Sequence, residues 1–273
     1  MTTKQILIIN DLCSYGKVST TAMLPILSYL GVPTGILPTS LVSNTFDYGD
    51  YSIMETTDFL KDSFTKWKKL GFGFEAIATG FIPSRAQADL ISAYCKEQAA
   101  AGTTIFVDPI MGDEGQLYKG MAAEELVGAM REMISVADLC YPNYTEACYL
   151  TGEDYKAGGV TKAGARNLLD KLRKIGAKSV LITSIDVDGQ PSVAGFNHST
   201  GEYFTLPFTE IPVHFPGTGD IFSAILIGHI MNGDTLKDST RKAMDGVYRL
   251  IDLNKDNTDK NRGIPLEKYL SIL

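Results

Sequence analysis

The chain has 273 residues, 44% of them hydrophobic and 21% charged, so it can bury a sizeable core and is not a disordered polymer. Lysine and arginine total 25 against 32 acidic residues, a net charge of -7 with no basic run, which excludes a nucleic-acid-backbone binder. The apolar run 6–9 is too short for a secretory signal, and 221–231 falls short of the roughly 18 residues of a membrane span, so a soluble, cytoplasmic protein is expected. Four cysteines without a C-x-x-C pair and three separated histidines argue against structural zinc; the thiols read as reduced and partly buried.

Short β-rich runs alternate with helical patterns. Residues 6–10 form a first strand and 18–30 a helix with Pro25 inside it. A second strand precedes Pro38, a helix covers about 56–70, and 76–80 is strand-like. Ser84 with Gln87 reads as a capping box for a helix whose face carries Leu90, Ile91, Tyr94 and Cys95 and which Gly102 closes. Residues 104–108 form a buried strand. Thr161 opens a helix with Ala165, Leu168, Leu169, Leu172 and Ile175 at helical spacing, and Gly176 ends it. A strand follows at 179–183, and 192–196 with 202–206 flank a turn as an antiparallel hairpin. The stretch 216–232 is a helix apolar on most faces, hence buried, and 236–273 is mostly helical.

This alternation gives a parallel sheet covered on both faces, with no linker to split it, so one domain over 1–273 is expected. Ligands of such folds lie past the carboxyl ends of the strands, which draws attention to Asn10, Asp11, Thr79, Gly80, Asp108, Asn143, Thr183 and Ser184.

The sharpest motif is Pro216-Gly217-Thr218-Gly219-Asp220, opening the apolar helix. Its glycines let the backbone approach a ligand, and free N–H groups backed by the helix dipole suit a phosphoryl group gaining charge. Asp220 would repel a plain anion, so it reads as a base accepting a proton from an attacking hydroxyl; an ordinary glycine-rich cap is the alternative. Asp108 and Asp113 are strand-end carboxylates suited to magnesium near phosphates, or else turn formers. Asn143 with Glu146 is a second candidate pair, or else a plain capping box. Neither G-x-x-x-x-G-K-[ST] nor G-x-G-x-x-G occurs, which sets aside P-loop and dinucleotide sites.

In this order the pieces resemble the pyridoxal/pyridoxamine kinase family of the ribokinase-like superfamily. The matching strings are Tyr15-Gly16, Leu37-Pro38-Thr39 with Val42-Ser43-Asn44-Thr45, Thr79-Gly80-Phe81, and Val107-Asp108-Pro109-Ile110-Met111-Gly112-Asp113. They continue with Leu117-Tyr118, Pro142-Asn143 with Glu146, Leu150-Thr151-Gly152, Ile182-Thr183-Ser184 and Gly217-Thr218-Gly219-Asp220. The resemblance spans nearly the whole chain. It implies a three-layer α/β/α sandwich with a mostly parallel sheet, usually a homodimer. It also implies an ATP- and Mg2+-dependent kinase, often helped by K+, that phosphorylates the 5′-hydroxymethyl group of pyridoxal, pyridoxine or pyridoxamine.

By the same resemblance Asp220 is the catalytic base and Gly217, Thr218 and Gly219 the anion hole. Asp108, Asp113, Tyr118, Asn143, Thr183 and Ser184 contact the nucleotide, with a lid over 112–120. Glu146 and Asp108 serve magnesium, Glu146 through water. Asp11, Tyr15, Asn44, Thr45, Phe46 and Phe81 face the vitamin. Three of these depart from the family pattern. Asp11 replaces a serine that bonds the ring, Phe46 ends the Asn44-Thr45-Phe46 run in place of Asn-His-Thr, and Phe81 lacks the family's hydroxyl. Two other readings stand beside this one: a hydroxymethylpyrimidine kinase of thiamine synthesis, and a non-catalytic vitamin or nucleotide sensor on the same fold.

Overall fold

A computed structural model describes residues 5–118 and 122–273. Its elements in chain order are β1 (Ile6–Tyr15), α1 (Ser19–Tyr29), β2 (Thr34–Asn44), β3 (Ile53–Glu55), α2 (Thr57–Leu70), β4 (Ala76–Thr79), α3 (Arg85–Ala100) and β5 (Thr104–Val107). Next come β6 (Gly112–Asp113), β7 (Gln116–Leu117), α4 (Ala123–Ile134), β8 (Leu139–Cys140), α5 (Tyr144–Thr151) and α6 (Lys162–Ile175). The chain closes with β9 (Ser179–Val187), β10 (Gln190–Asn197), β11 (Glu202–Pro207), α7 (Thr218–Met231) and α8 (Leu236–Asn254). These fall into two compact units, one from Met1–Glu75 with Glu210–Leu273, the other Ala76–Thr209.

In the first unit β1 pairs with β2 in parallel, and β3 adds an antiparallel edge. The apolar run Ile6, Leu7, Ile8 and Ile9 is fully buried, as a strand covered on both faces requires. α7 packs between α1 and α8, and Ile221, Phe222, Ala224, Ile225, Leu226 and Ile227 are all buried. Each large side chain among them contributes roughly 1.5–3 kcal/mol by leaving water. The start of α7 is therefore anchored by its whole length.

In the second unit β4, β5, β8 and β9 run parallel, and β10 and β11 continue antiparallel as the expected hairpin. α6 shows the expected stripe: Ala165, Leu168, Leu169 and Leu172 are buried, Thr161 caps its start through Gly164 N, and Gly176 stands at its end. β6 and β7 form a separate small hairpin after β5.

Several boundaries differ from the sequence reading. β2 runs through Pro38 instead of stopping before it. Pro38 pairs opposite Asn10, where the β1 register shifts, and lies outside the Ser40–Val42 stretch that pairs with β3, so its missing N–H interrupts no regular ladder. β1 and β9 extend to Tyr15 and Val187. Ser84 occupies the N-cap position of α3, but its side chain makes no capping bond. The tail is helical only to Asn254; after it come a stretch without α-helix and two short 3-10 turns. The run Asp256-Asn257-Thr258-Asp259 explains the break, because these side chains compete with the backbone for hydrogen bonds. All four cysteines are free and buried. Among the described residues no helix is long and apolar enough to cross a membrane.

Candidate active site

Two clusters hold the residues singled out from the sequence, one in each unit. In the first unit Gly217 caps α7 with φ 84°, a left-handed conformation natural to glycine, and a Cβ there would strike the Lys17 carbonyl. Gly219 faces open space. The leading N–H groups of α7 have no acceptor in the helix; the first helical bond is Ile221 N to Gly217 O at 3.0 Å. Gly217, Thr218 and Gly219 thus form a donor-rich cradle with the positive end of a helix behind it.

Asp220 stands in the first turn of α7. Its Oδ2 accepts the Ser19 amide at 2.7 Å, and its Oδ1 accepts the Asn10 side chain at 3.4 Å. Burial first, then the charge of Asp11, push its carboxyl up to about 7, against the lowering effect of those two donors. Asp11 is 5% exposed and pushed up to about 6, again chiefly by burial. A hydrogen bond from the Ser19 side chain opposes that shift, and the Asp11 amide donates to Asn10 Oδ1 at 2.9 Å. Burial and the Asp11 charge raise the Cys13 thiol to about 11, so it stays protonated near neutral pH.

Ser19 and Asn10 were not assigned roles from the sequence, yet both donate to Asp220, and Asn10 also accepts the Asp11 amide. Ser19 has φ 51°, a left-handed value that costs a non-glycine residue roughly 1–2 kcal/mol. No spacing signals this, because its partner Asp220 lies at the far end of the chain.

The proposed vitamin contacts of this unit flank that cluster in sequence and differ in availability. Tyr15 and Phe46 are exposed; Tyr15 has Tyr48 at 6.0 Å between ring centroids and Arg262 at 4.8 Å, and Phe46 has Tyr51 at 4.4 Å. Asn44 is occupied within its own loop, donating to Thr45 O at 3.1 Å and Asp50 O at 2.8 Å. Thr45 is buried, and its hydroxyl donates to Asn261 O at 2.6 Å. The nonhelical tail thus reaches back to this loop, and Asn261 also donates to Asp47 O at 3.1 Å.

In the second unit Asn143 and Glu146 form a complete capping box: Asn143 Oδ1 accepts Glu146 N at 2.9 Å, and Glu146 Oε2 accepts Asn143 N at 2.8 Å. Both side chains also reach the segment after β5. Glu146 Oε1 accepts Met111 N at 2.9 Å, and Asn143 Nδ2 donates to Gly112 O at 2.8 Å. Glu146 is 2% exposed, and burial raises its carboxyl well above the ordinary range in spite of these donors. Asp108 and Thr183 are half-buried and Asp113 is exposed. Thr183 N donates to Pro142 O at 2.9 Å. Ser184 is exposed at φ 51°, where the β9–β10 register shifts. Tyr118 is exposed, and its amide holds Met111 O at 2.8 Å. Phe81, half-buried after β4, also belongs to this unit. Of the expected lid, 112–118 contains the β6–β7 hairpin, while Lys119 and Gly120 lie outside the described residues.

The three-layer α/β sandwich with a largely parallel sheet, which opens α7 with a glycine-rich start beside the buried Asp220 carboxyl, is that of a ribokinase-like phosphotransferase. The chain belongs to the phosphomethylpyrimidine kinase family, whose model matches residues 34–265. A Bacteroides thetaiotaomicron protein provisionally described as a phosphomethylpyrimidine kinase, solved with pyridoxal, is 35% identical; the match covers 99% of this chain and 96% of that one at a TM-score of 0.91. Pyridoxal kinase from Lactobacillus plantarum is 28% identical, with 99% and 96% covered and a TM-score of 0.88. The pyridoxine/pyridoxal/pyridoxamine kinase of Bordetella bronchiseptica is 25% identical over 89% of this chain and 86% of its own length.

Proposed function

We propose that the protein transfers the terminal phosphoryl group of ATP to the 5′-hydroxymethyl group of vitamin B6 vitamers. The observation that carries this reading is geometric: Asp220 lies in the first turn of α7 beside its open start, held by the Ser19 amide at 2.7 Å, and burial there raises its carboxyl to about 7. A carboxylate with that proton affinity can accept the alcohol proton as the new P–O bond forms, and the Gly217–Gly219 amides are placed to receive charge on the transferring phosphoryl oxygens. In the second unit Asp108, Asp113, Tyr118, Asn143, Thr183 and Ser184 serve the nucleotide. The relatives that are named pyridoxal kinases, and the one solved with pyridoxal, support the choice of acceptor.

Among the described residues no group of three or more His, Cys, Asp or Glu side chains could hold a metal ion alone. That donor set fits a magnesium ion carried mainly by nucleotide phosphates and water, with Asp108 and Glu146 as outer partners. When bound, such an ion neutralises phosphate charge. A stimulating K+ and a homodimeric state belong to the same proposal, drawn from the family resemblance.

The test is ADP release with pyridoxal, pyridoxine, pyridoxamine and hydroxymethylpyrimidine, with and without Mg2+ and K+. Turnover of at least one B6 vitamer with Mg2+ is expected. Turnover of the pyrimidine alone would replace this reading with a thiamine-pathway kinase, which the name of the family model favours.

A further inference from the structure

We propose that the segment 259–262 is a positioning clamp, in which Asp259 and Asn261 hold the loop that carries Phe46 at a set distance from the phosphoryl cradle. The kinetic consequence rests on the proposed function; the clamp itself rests on geometry within the first unit.

The loop 46–52 is exposed at every residue, so burial does not fix its place. Asn44 donates to Asp50 O at 2.8 Å, which shapes the loop without tying it to another part of the fold. The tail supplies those ties. Asn261 holds the loop twice: its carbonyl accepts the Thr45 hydroxyl at 2.6 Å, and its side chain donates to Asp47 O at 3.1 Å. Two residues earlier the Asp259 carboxylate accepts the Tyr48 hydroxyl, whose oxygen lies 2.8 and 2.9 Å from the two carboxylate oxygens. Asp47 Oδ2 also lies 3.0 Å from Nε2 of His214, in the segment that leads to Pro216. The next tail residue faces the cradle instead. Arg262 O accepts the Lys17 amide at 2.8 Å, and Lys17 is the residue whose carbonyl stands against Gly217. Neighbouring residues 261 and 262 therefore hold the acceptor loop and the cradle support, with one peptide unit between them. Asp259 and Asn261 are themselves exposed, so hydrogen bonds and not packing make the clamp. A clamp of this kind fixes the gap between the aromatic side chain the loop offers and the phosphoryl group, and so selects acceptors by the span from ring to reacting alcohol.

The experiment compares wild type with Asn261→Ala, Tyr48→Phe and the two combined. Each single variant deletes one side-chain bond at an exposed site and is expected to raise the vitamer KM about threefold, and the combination about tenfold. The ATP KM should stay within about twofold, and Tm within about 2 °C, of wild type, as for surface substitutions. Amide hydrogen exchange over 45–51 should accelerate in the combined variant while β1 and α7 exchange as before. An unchanged vitamer KM in the combined variant, or a rise shared equally by ATP, overturns the inference. If wild type turns over no vitamer, the proposed function fails alone, and hydrogen exchange decides the clamp: equal exchange over 45–51 in wild type and combined variant overturns it.

Discussion

The two clusters use buried carboxyls in opposite ways. Glu146 in the second unit is closed in: each oxygen accepts a backbone amide, and the residue fixes the Met111–Gly112 segment against the start of α5. Asp220 in the first unit has one short bond and one long one, next to a second carboxyl and an open helix start. Both are pushed upward by burial. The difference is that Glu146 has its oxygens committed to holding shape, whereas Asp220 retains capacity to take a proton. A raised carboxyl is therefore not by itself a sign of catalysis; its bonding partners decide.

The strongest way to break this contrast is Asp220→Ala. A positioned base is worth about 10²–10⁴-fold, so kcat should fall by that factor while ATP affinity, measured by calorimetry, is retained. A loss under tenfold would place Asp220 with Glu146 as scaffold. Gly217→Ala should follow, lowering kcat by at least about tenfold, because the new Cβ meets the Lys17 carbonyl and turns the cradle amides away. Near-normal kcat would show that the cradle is not used.

The pH dependence sharpens the comparison. Asp220 must be ionised to act, so kcat/KM should rise with pH through about 7. Stability should move the other way. Between its ordinary 3.8 and about 7 the folded chain keeps a proton that the unfolded chain has lost, so stability from this group falls as pH rises through that window and levels off above it. Asp220→Asn should accordingly raise Tm at about pH 8 and lose that gain toward about pH 4. A gain that is equal at both pH values would mean the carboxyl is not raised.

Smaller effects are expected on the scaffold side. Glu146→Gln cannot accept both amides, because its NH2 would face one of them. It should lower stability by about 1–3 kcal/mol, several degrees in Tm, and weaken Mg2+-ATP binding both through the shifted Met111–Gly112 segment and through its proposed outer contact to the ion. Asn143→Ala removes a cap and the donor to Gly112 O and should cost about 1 kcal/mol, or roughly 2–4 °C. If Glu146→Gln instead left Tm unchanged and abolished turnover, the two carboxyls would have to be reassigned.

Much of this was legible in the sequence where the signal is local. The glycine-rich start of α7 and the Asn143–Glu146 box are fixed by spacings within one helical turn, and the stripe on α6 by its period. The edge strand β3 and the β6–β7 hairpin were missed because two or three residues carry no usable period. The tail was read as mostly helical because its apolar residues masked the Asn- and Asp-rich break. Ser19 was invisible for a deeper reason: neither a positive φ nor a partner at the other end of the chain leaves a mark in the neighbouring residues.

The carbonyl of Lys17 lies against two glycines, Gly217 and Gly263, and a methyl group on either would collide with it; at Gly263 the gap would be 2.7 Å. The stretch around Gly263 is thereby a wall of the proposed phosphoryl cradle. A mutant library that randomised this stretch for solubility would also be screening, unannounced, for turnover.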